Sequence, residues 1–238
     1  MGAVKTKRMP RAVREQQMLD AAVRIFGRRG YMAASMDEIA ELAGVSKPLV
    51  YLYLNSKDDL FIACIRREAA ALIAAIRSGI ATDLPADRQL WDGLRAFFAH
   101  TAEHQDAWSV LHLQARTHGE RFAREVAAMR EEIVAFVTGL IVAAARAALP
   151  QTLNCVRAGR TPIDPDHPER EVAGLAEALV GAAESLADWA NTTEGVTARE
   201  AATTLMDFAW SGLSNLMEGR RTWSAPESGA GGSGVVPV

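Results

Sequence analysis

Ser35-Met36-Asp37-Glu38-Ile39-Ala40-Glu41-Leu42-Ala43-Gly44-Val45-Ser46-Lys47-Pro48-Leu49-Val50-Tyr51-Leu52-Tyr53-Leu54 is the stretch whose reading decides the fold. Ser35 followed three residues later by Glu38 is a capping box: the serine accepts from the Glu38 amide and the glutamate reaches back, so a short helix opens here. Gly44 ends it. Ser46 is placed to cap a second short helix, with Pro48 in a first turn where a missing N–H costs nothing. Two capped helices joined by a turn containing Gly44 form a helix-turn-helix. Ile39, Ala40 and Val45 close its inner face and Val50 anchors the second helix. Lys47, Pro48, Leu49, Tyr51 and Tyr53 are left on other faces. A major groove about 12 Å wide admits one α-helix, and an apolar, phenolic and basic set on so short a helix suits thymine methyls, base edges and phosphates. Tyr51 as an internally satisfied core tyrosine, and the serines as caps and nothing more, are the plainer readings.

Working outward, Met18, Leu19, Ala22, Ile25 and Phe26 mark a 3.6-residue period over 11–29, and Gly30 stands where that helix stops. Ser56-Lys57-Asp58-Asp59 opens a long helix to about Ile80. Further helices are expected at 86–104, 106–118, 120–148, 169–192 and 198–221, the last opened by the capping box Thr197-Ala198-Arg199-Glu200. Prolines and Gly159 argue for a surface loop over 150–168, and the Gly/Ser/Pro-rich 224–238 for a disordered tail. Strand signals are nearly absent, so the expected fold is all-α. Its parts are a basic arm at 1–13, a three-helix DNA-binding unit at 14–57 and a larger helical ligand-binding and dimerisation domain at 58–223.

The chain has 238 residues, 49% of them apolar and only 6% aromatic, with mean hydropathy +0.00. These values suit a globular protein packed largely by alanine and leucine. The net charge of −3 hides an asymmetry, since residues 1–57 carry ten Lys/Arg against five acids. A basic unit on an acidic body points to a polyanion partner, though a solvated basic tail would give the same count. The two cysteines, Cys64 and Cys155, lack metal or disulfide spacing. No apolar run approaches the roughly 20 residues a membrane helix needs, and no secretory signal is evident, so a cytoplasmic location with no membrane partner is expected.

Gly30-Tyr31, Ser35 to Ala40, Ala43 to Lys47, Tyr51 and Ser56 to Leu60 together resemble the DNA-binding region of the TetR family of transcriptional regulators, over about residues 14–65. The resemblance implies a homodimer that binds palindromic operator DNA, usually as a repressor, and a divergent C-terminal domain that takes a small inducer. It assigns DNA contact to Ser35, Met36, Ser46, Lys47, Pro48, Leu49, Tyr51, Tyr53 and Lys57. Lys47 is the candidate for guanine; Tyr51, Tyr53 and Lys57 are the candidates for phosphate. Leu54 where phenylalanine is commoner, and Pro48 where small residues are frequent, are modest departures that leave the operator sequence open.

In the larger domain, Phe97, Thr101, His104, Trp108, Leu111, His112, Phe136 and Leu140 are the candidate pocket residues, set against the plainer reading of a packed core. Leu175, Leu179, Ala182, Leu186 and Trp189 on one late helix, with Leu205, Phe208, Leu213 and Leu216 on the next, form stripes suited to a four-helix dimer interface or to packing inside one subunit. His100, Glu103, His104 and His112 leave open an alternative, a metal-dependent helical-bundle enzyme. The leading reading needs no cofactor: a regulator released from its operator by a small hydrophobic molecule.

Overall fold

The computed structural model describes residues 10–157 and 168–217, with side chains over 10–143, 170 and 172–210. The start of the basic arm, the centre of the expected 150–168 loop, the 224–238 tail and the side chains of Leu213 and Leu216 lie outside the described residues. Among the described residues the secondary structure is helical, without strands: α1 (Arg11–Ala33), α2 (Met36–Leu42), α3 (Lys47–Leu54), α4 (Lys57–Gly79), α5 (Ala86–Glu103), α6 (Gln105–Ser109), a π-helical turn (Val110–Gln114), α7 (Ala115–Thr117), α8 (Glu120–Arg157), α9 (Pro168–Thr192) and α10 (Ala198–Met217).

Local chemistry accounts for most boundaries. Gly30 adopts φ +80, a backbone state that L side chains rarely enter, and redirects the chain from α1 toward α2. Ser56 Oγ accepts from the Asp59 amide at 3.0 Å to open α4. The Thr197–Glu200 box is reciprocal: the Glu200 amide donates to Thr197 Oγ1 at 3.2 Å, and the Thr197 amide to Glu200 Oε2 at 2.8 Å. Ser35 departs from expectation, accepting from the Asp37 amide at 3.2 Å, and Ser46 makes no side-chain cap bond.

The loop expected to begin at residue 150 does not begin there: α8, Glu120–Arg157, passes through Pro150. Proline forfeits one amide bond and crowds the preceding turn. A long helix needs no new nucleus to continue past it, however, since nucleation and not propagation is the costly step.

One continuous apolar core runs from Met18 on α1 to Leu205 on α10, so the expected boundary after residue 57 falls within unbroken packing. Phe61 is its hinge point, with ring centroids 4.8 Å from Phe26 and 4.9 Å from Phe122, binding α1, α4 and α8 together. Aromatic rings in edge-to-face contact add to the simple burial of area.

Candidate functional site

α2 and α3 stand out from this core on few anchors. Ile39 and Val50 are fully enclosed, and Leu54 is buried at the end of α3. Burying Val50 and Leu54, one helical turn apart, turns the opposite side of α3 outward. That side carries Pro48 and Leu52, both exposed, Leu52 73% accessible; Lys47, exposed because it begins the helix, and Tyr51, 38% accessible, stand beside it. Leu49 and Tyr53 are half-buried. The sequence reading passed over Leu52; its place two residues from both Val50 and Leu54, and so opposite them on a helical wheel, was the available signal.

Met36 is a correction: its side chain is buried in the core, leaving only its backbone near any ligand of α2. Ser35, at the N-terminus of α2, is half-buried, and Ser46 is exposed. Lys47 Nζ lies 2.9 Å from Asp37 Oδ2, and this neighbouring carboxylate raises the lysine's pKa. Lys57 faces inward, donating to the Met32 carbonyl at 3.3 Å with its ammonium 4.7 Å from the Tyr31 ring centroid, and burial lowers its pKa. It is not presented as a free phosphate clamp. Arg11 lies over the Tyr53 ring at 4.9 Å. Glu38, expected to reach back to its own helix cap, instead binds Arg29 at 2.7 Å and ties α2 to α1.

A second feature lies between α4, α5, α6, α8 and α9: a cavity of about 60 Å³ with an almost wholly apolar wall. That volume suits about five water-sized groups, and apolar cavities of this kind stay dry until an apolar guest enters. Phe97, Trp108, Phe136 and Leu140 line it as the sequence suggested. Thr101 does not; it is enclosed, with Oγ1 donating to the Phe98 carbonyl at 3.1 Å. Leu111 is packed in the core beyond the wall. His104 faces a separate polar cleft with Asp20, Arg24 and Arg28. His112 sits behind Trp108, the two rings stacked at 4.9 Å. Leu72, Ile76, Leu94, Met129, Ile133 and Ala183 complete much of the wall and were missed, because an apolar stripe in sequence does not distinguish cavity from core.

The polar residues at the cavity's edge are Gln89 and Glu184, the latter with Oε1 2.8 Å from Arg116 and 3.4 Å from Arg130. One turn later Asp188 accepts from Trp108 Nε1 at 2.7 Å and pairs with His112 Nε2 at 2.9 Å. The His100 and His104 rings lie 4.5 Å apart, and among the described residues no group of three His, Cys, Asp or Glu is placed to share a metal.

On α9 and α10, Trp189 is 50% and Phe208 75% exposed, while Leu175, Ala182 and Leu186 are half-buried. Leu179 and Leu205 are corrections to the expected interface. Both are buried within the subunit, Leu179 on the cavity wall. No helix among the described residues is long and apolar enough to cross a membrane.

Residues 18–64 match the family description "Bacterial regulatory proteins, tetR family", and residues 86–212 match "Tetracyclin repressor-like, C-terminal domain". The chain belongs to the TetR family. A TetR-like transcriptional regulator from Rhodococcus sp. RHA1 is 35% identical, with a TM-score of 0.70 over 87% of this chain and 99% of that one. The HTH-type transcriptional activator FasR of Mycolicibacterium smegmatis is 42% identical over 91 residues, covering 38% of this chain and 42% of FasR. The chain thus spans less than half of that relative's length. The regulator FadR from Bacillus subtilis, solved with stearoyl-CoA, shares the fold at 18% identity, with a TM-score of 0.60 over 83% of this chain and 98% of that one. TetR-family membership places the protein among regulators and sets aside the metal-dependent enzyme alternative.

Proposed function

We propose that this TetR-family protein is a ligand-responsive regulator in the cytoplasm. Residues 14–57 serve as its DNA-reading unit and 58–223 as its effector-binding and dimerising part. A homodimer sets two copies of α3 in successive major grooves of a palindromic operator, about 34 to 36 Å apart or at a related spacing. Lys47, Pro48 and the exposed edge of Leu49 meet bases. Tyr51, Tyr53, Ser46 and the Ser35 end of α2 meet the backbone. Leu52 joins this set on its exposure, and the basic arm reaches toward phosphate or the minor groove.

The observation that carries the reading is the exposed set on α3: Lys47, Tyr51 and Leu52 stand in solvent on a helix whose anchor, Val50, is fully enclosed. The apolar cavity supports an effector with a hydrophobic body. The stearoyl-CoA complex of FadR, and a choline complex of a regulator from Saccharomonospora viridis, show how varied the guests of similar folds are. Repression relieved by that effector is the proposed polarity; the activator function named for FasR is the alternative. Selecting bound fragments from genomic DNA tests this directly. Enrichment of a single inverted repeat is expected, and recovery of no preferred sequence would overturn the proposal. A reporter driven from the selected site then separates repression from activation.

A further inference from the structure

The π-helical turn Val110–Gln114 is the one departure from α-geometry within α6–α7, and the Ala115 amide donates to the Val110 carbonyl five residues back. Such turns hold one residue more than an α-turn and bond less favourably, so they persist where neighbours hold them. Here the neighbours lie on two sides. Toward the cavity, Asp188 on α9 grips both Trp108 Nε1 and His112 Nε2. With Nε2 turned to Asp188, the other nitrogen of His112, Nδ1, is buried without a hydrogen-bond partner, a cost that a native structure seldom carries without a use. Toward the DNA-reading unit, Gln114 Oε1 accepts from the Tyr31 amide at 3.1 Å, and Ser109 Oγ donates to the Gly27 carbonyl at 3.1 Å. Tyr31 immediately follows Gly30, where the chain turns from α1 to α2.

Resting on the regulatory reading above, we propose that the Val110–Gln114 turn is a sliding joint: a guest that parts Trp108 from Asp188 moves the extra residue along the segment, and Gln114 then releases the Tyr31 amide at the root of α2. The two arrangements differ in which backbone and side-chain groups are satisfied, and a guest that favours one of them supplies the coupling free energy. The buried, unpaired His112 Nδ1 keeps the present arrangement from being so stable that it cannot shift. Leu113, 55% exposed, is the residue the turn can spare.

The test is a double-mutant comparison that needs no effector. Trp108→Phe removes the indole N–H that binds Asp188. Its expected effects in the parent chain are faster hydrogen exchange at the Tyr31 amide and a change in operator affinity of about tenfold, typical of coupling between sites. Deleting Leu113 closes an ordinary α-turn, and in that background Trp108→Phe is expected to alter neither readout. Equal effects in both backgrounds, or unchanged Tyr31 exchange in the parent, would overturn the joint. Should the deletion not fold, Gln114→Leu serves in its place: Trp108→Phe is then expected to leave operator affinity unaltered, and a persisting tenfold change refutes the proposal. Because the exchange measurement is made on free protein, coupled exchange without any selectable operator would sink the regulatory reading and leave the joint standing.

Discussion

Arg28 on α1 shares its Nε between the two carboxylate oxygens of Asp106 on α6, at 3.2 and 3.1 Å. One residue earlier, Gly27 is bare for a reason: a Cβ there would fall 2.5 Å from the Asp106 carbonyl oxygen. Backbone cannot yield as a flexible side chain can. Gly27→Ala is therefore expected to destabilise the protein by about 1–3 kcal/mol, the usual cost of overpacking. Arg28→Ala removes a largely exposed ion pair and should cost below about 1 kcal/mol. Urea denaturation of the two variants gives the order; the reverse order would mean that the ion pair, and not the close approach, joins α1 to α6.

Lys47 and Asp37 hold each other on the outer face of the helix-turn-helix. Replacing Lys47 by alanine is expected to cost about tenfold in discrimination at one operator position, the scale of a lost base contact. Asp37→Asn releases the lysine and removes a negative charge from the side proposed to meet DNA, so affinity for all duplexes should rise, most at low salt. Titrations of operator and scrambled DNA at two ionic strengths check both. If Lys47→Ala weakens every sequence alike, the lysine is a backbone contact.

Val137 faces the apolar cavity. Val137→Phe is expected to fill it, blocking uptake of xenon, read by xenon NMR, while leaving operator binding intact. Undiminished xenon binding would place the guest elsewhere.

His100 carries a pKa below the ordinary histidine value, first because it is buried and then because His104 lies beside it. The unfolded chain therefore binds this proton more readily than the folded one, so this residue's contribution makes stability rise with pH. Acidification from pH 7 begins to cost stability near the normal histidine pKa, about 6.5, and goes on doing so down to the lowered folded value. Thermal melts of the parent should fall more steeply between pH 7 and 5 than those of His100→Gln. Parallel slopes would remove His100 from the acid response.

Trp189 and Phe208 offer two large, exposed apolar surfaces on adjacent helices. Phe208→Glu is expected to shift the particle from dimer to monomer in analytical ultracentrifugation and to weaken operator binding with it. A dimer that survives this change would mean that the partner packs on another face.

Much of the architecture was legible because its signals are local. Gly30 and Gly44 interrupt helices through their own backbone freedom, and the Thr197–Glu200 box closes on itself within one turn. The helix-turn-helix was legible for the same reason, since its caps, turn and anchors lie within twenty consecutive residues. Pro150 was misread because a local cost can be carried by the long helix around it.

The candidate sites divided along the same line. Amino-acid order alone determined that this chain is helical, where its helix-turn-helix lies and which family it resembles, since periodicity and capping act over three or four residues. Tertiary packing alone decided that Met36 is enclosed, that Lys57 turns toward Tyr31, that His112 stands behind Trp108, and that Leu179 faces a cavity rather than a second subunit. A helical stripe states which face is apolar; only the neighbouring helices, brought together from distant parts of the chain, determine what that face meets.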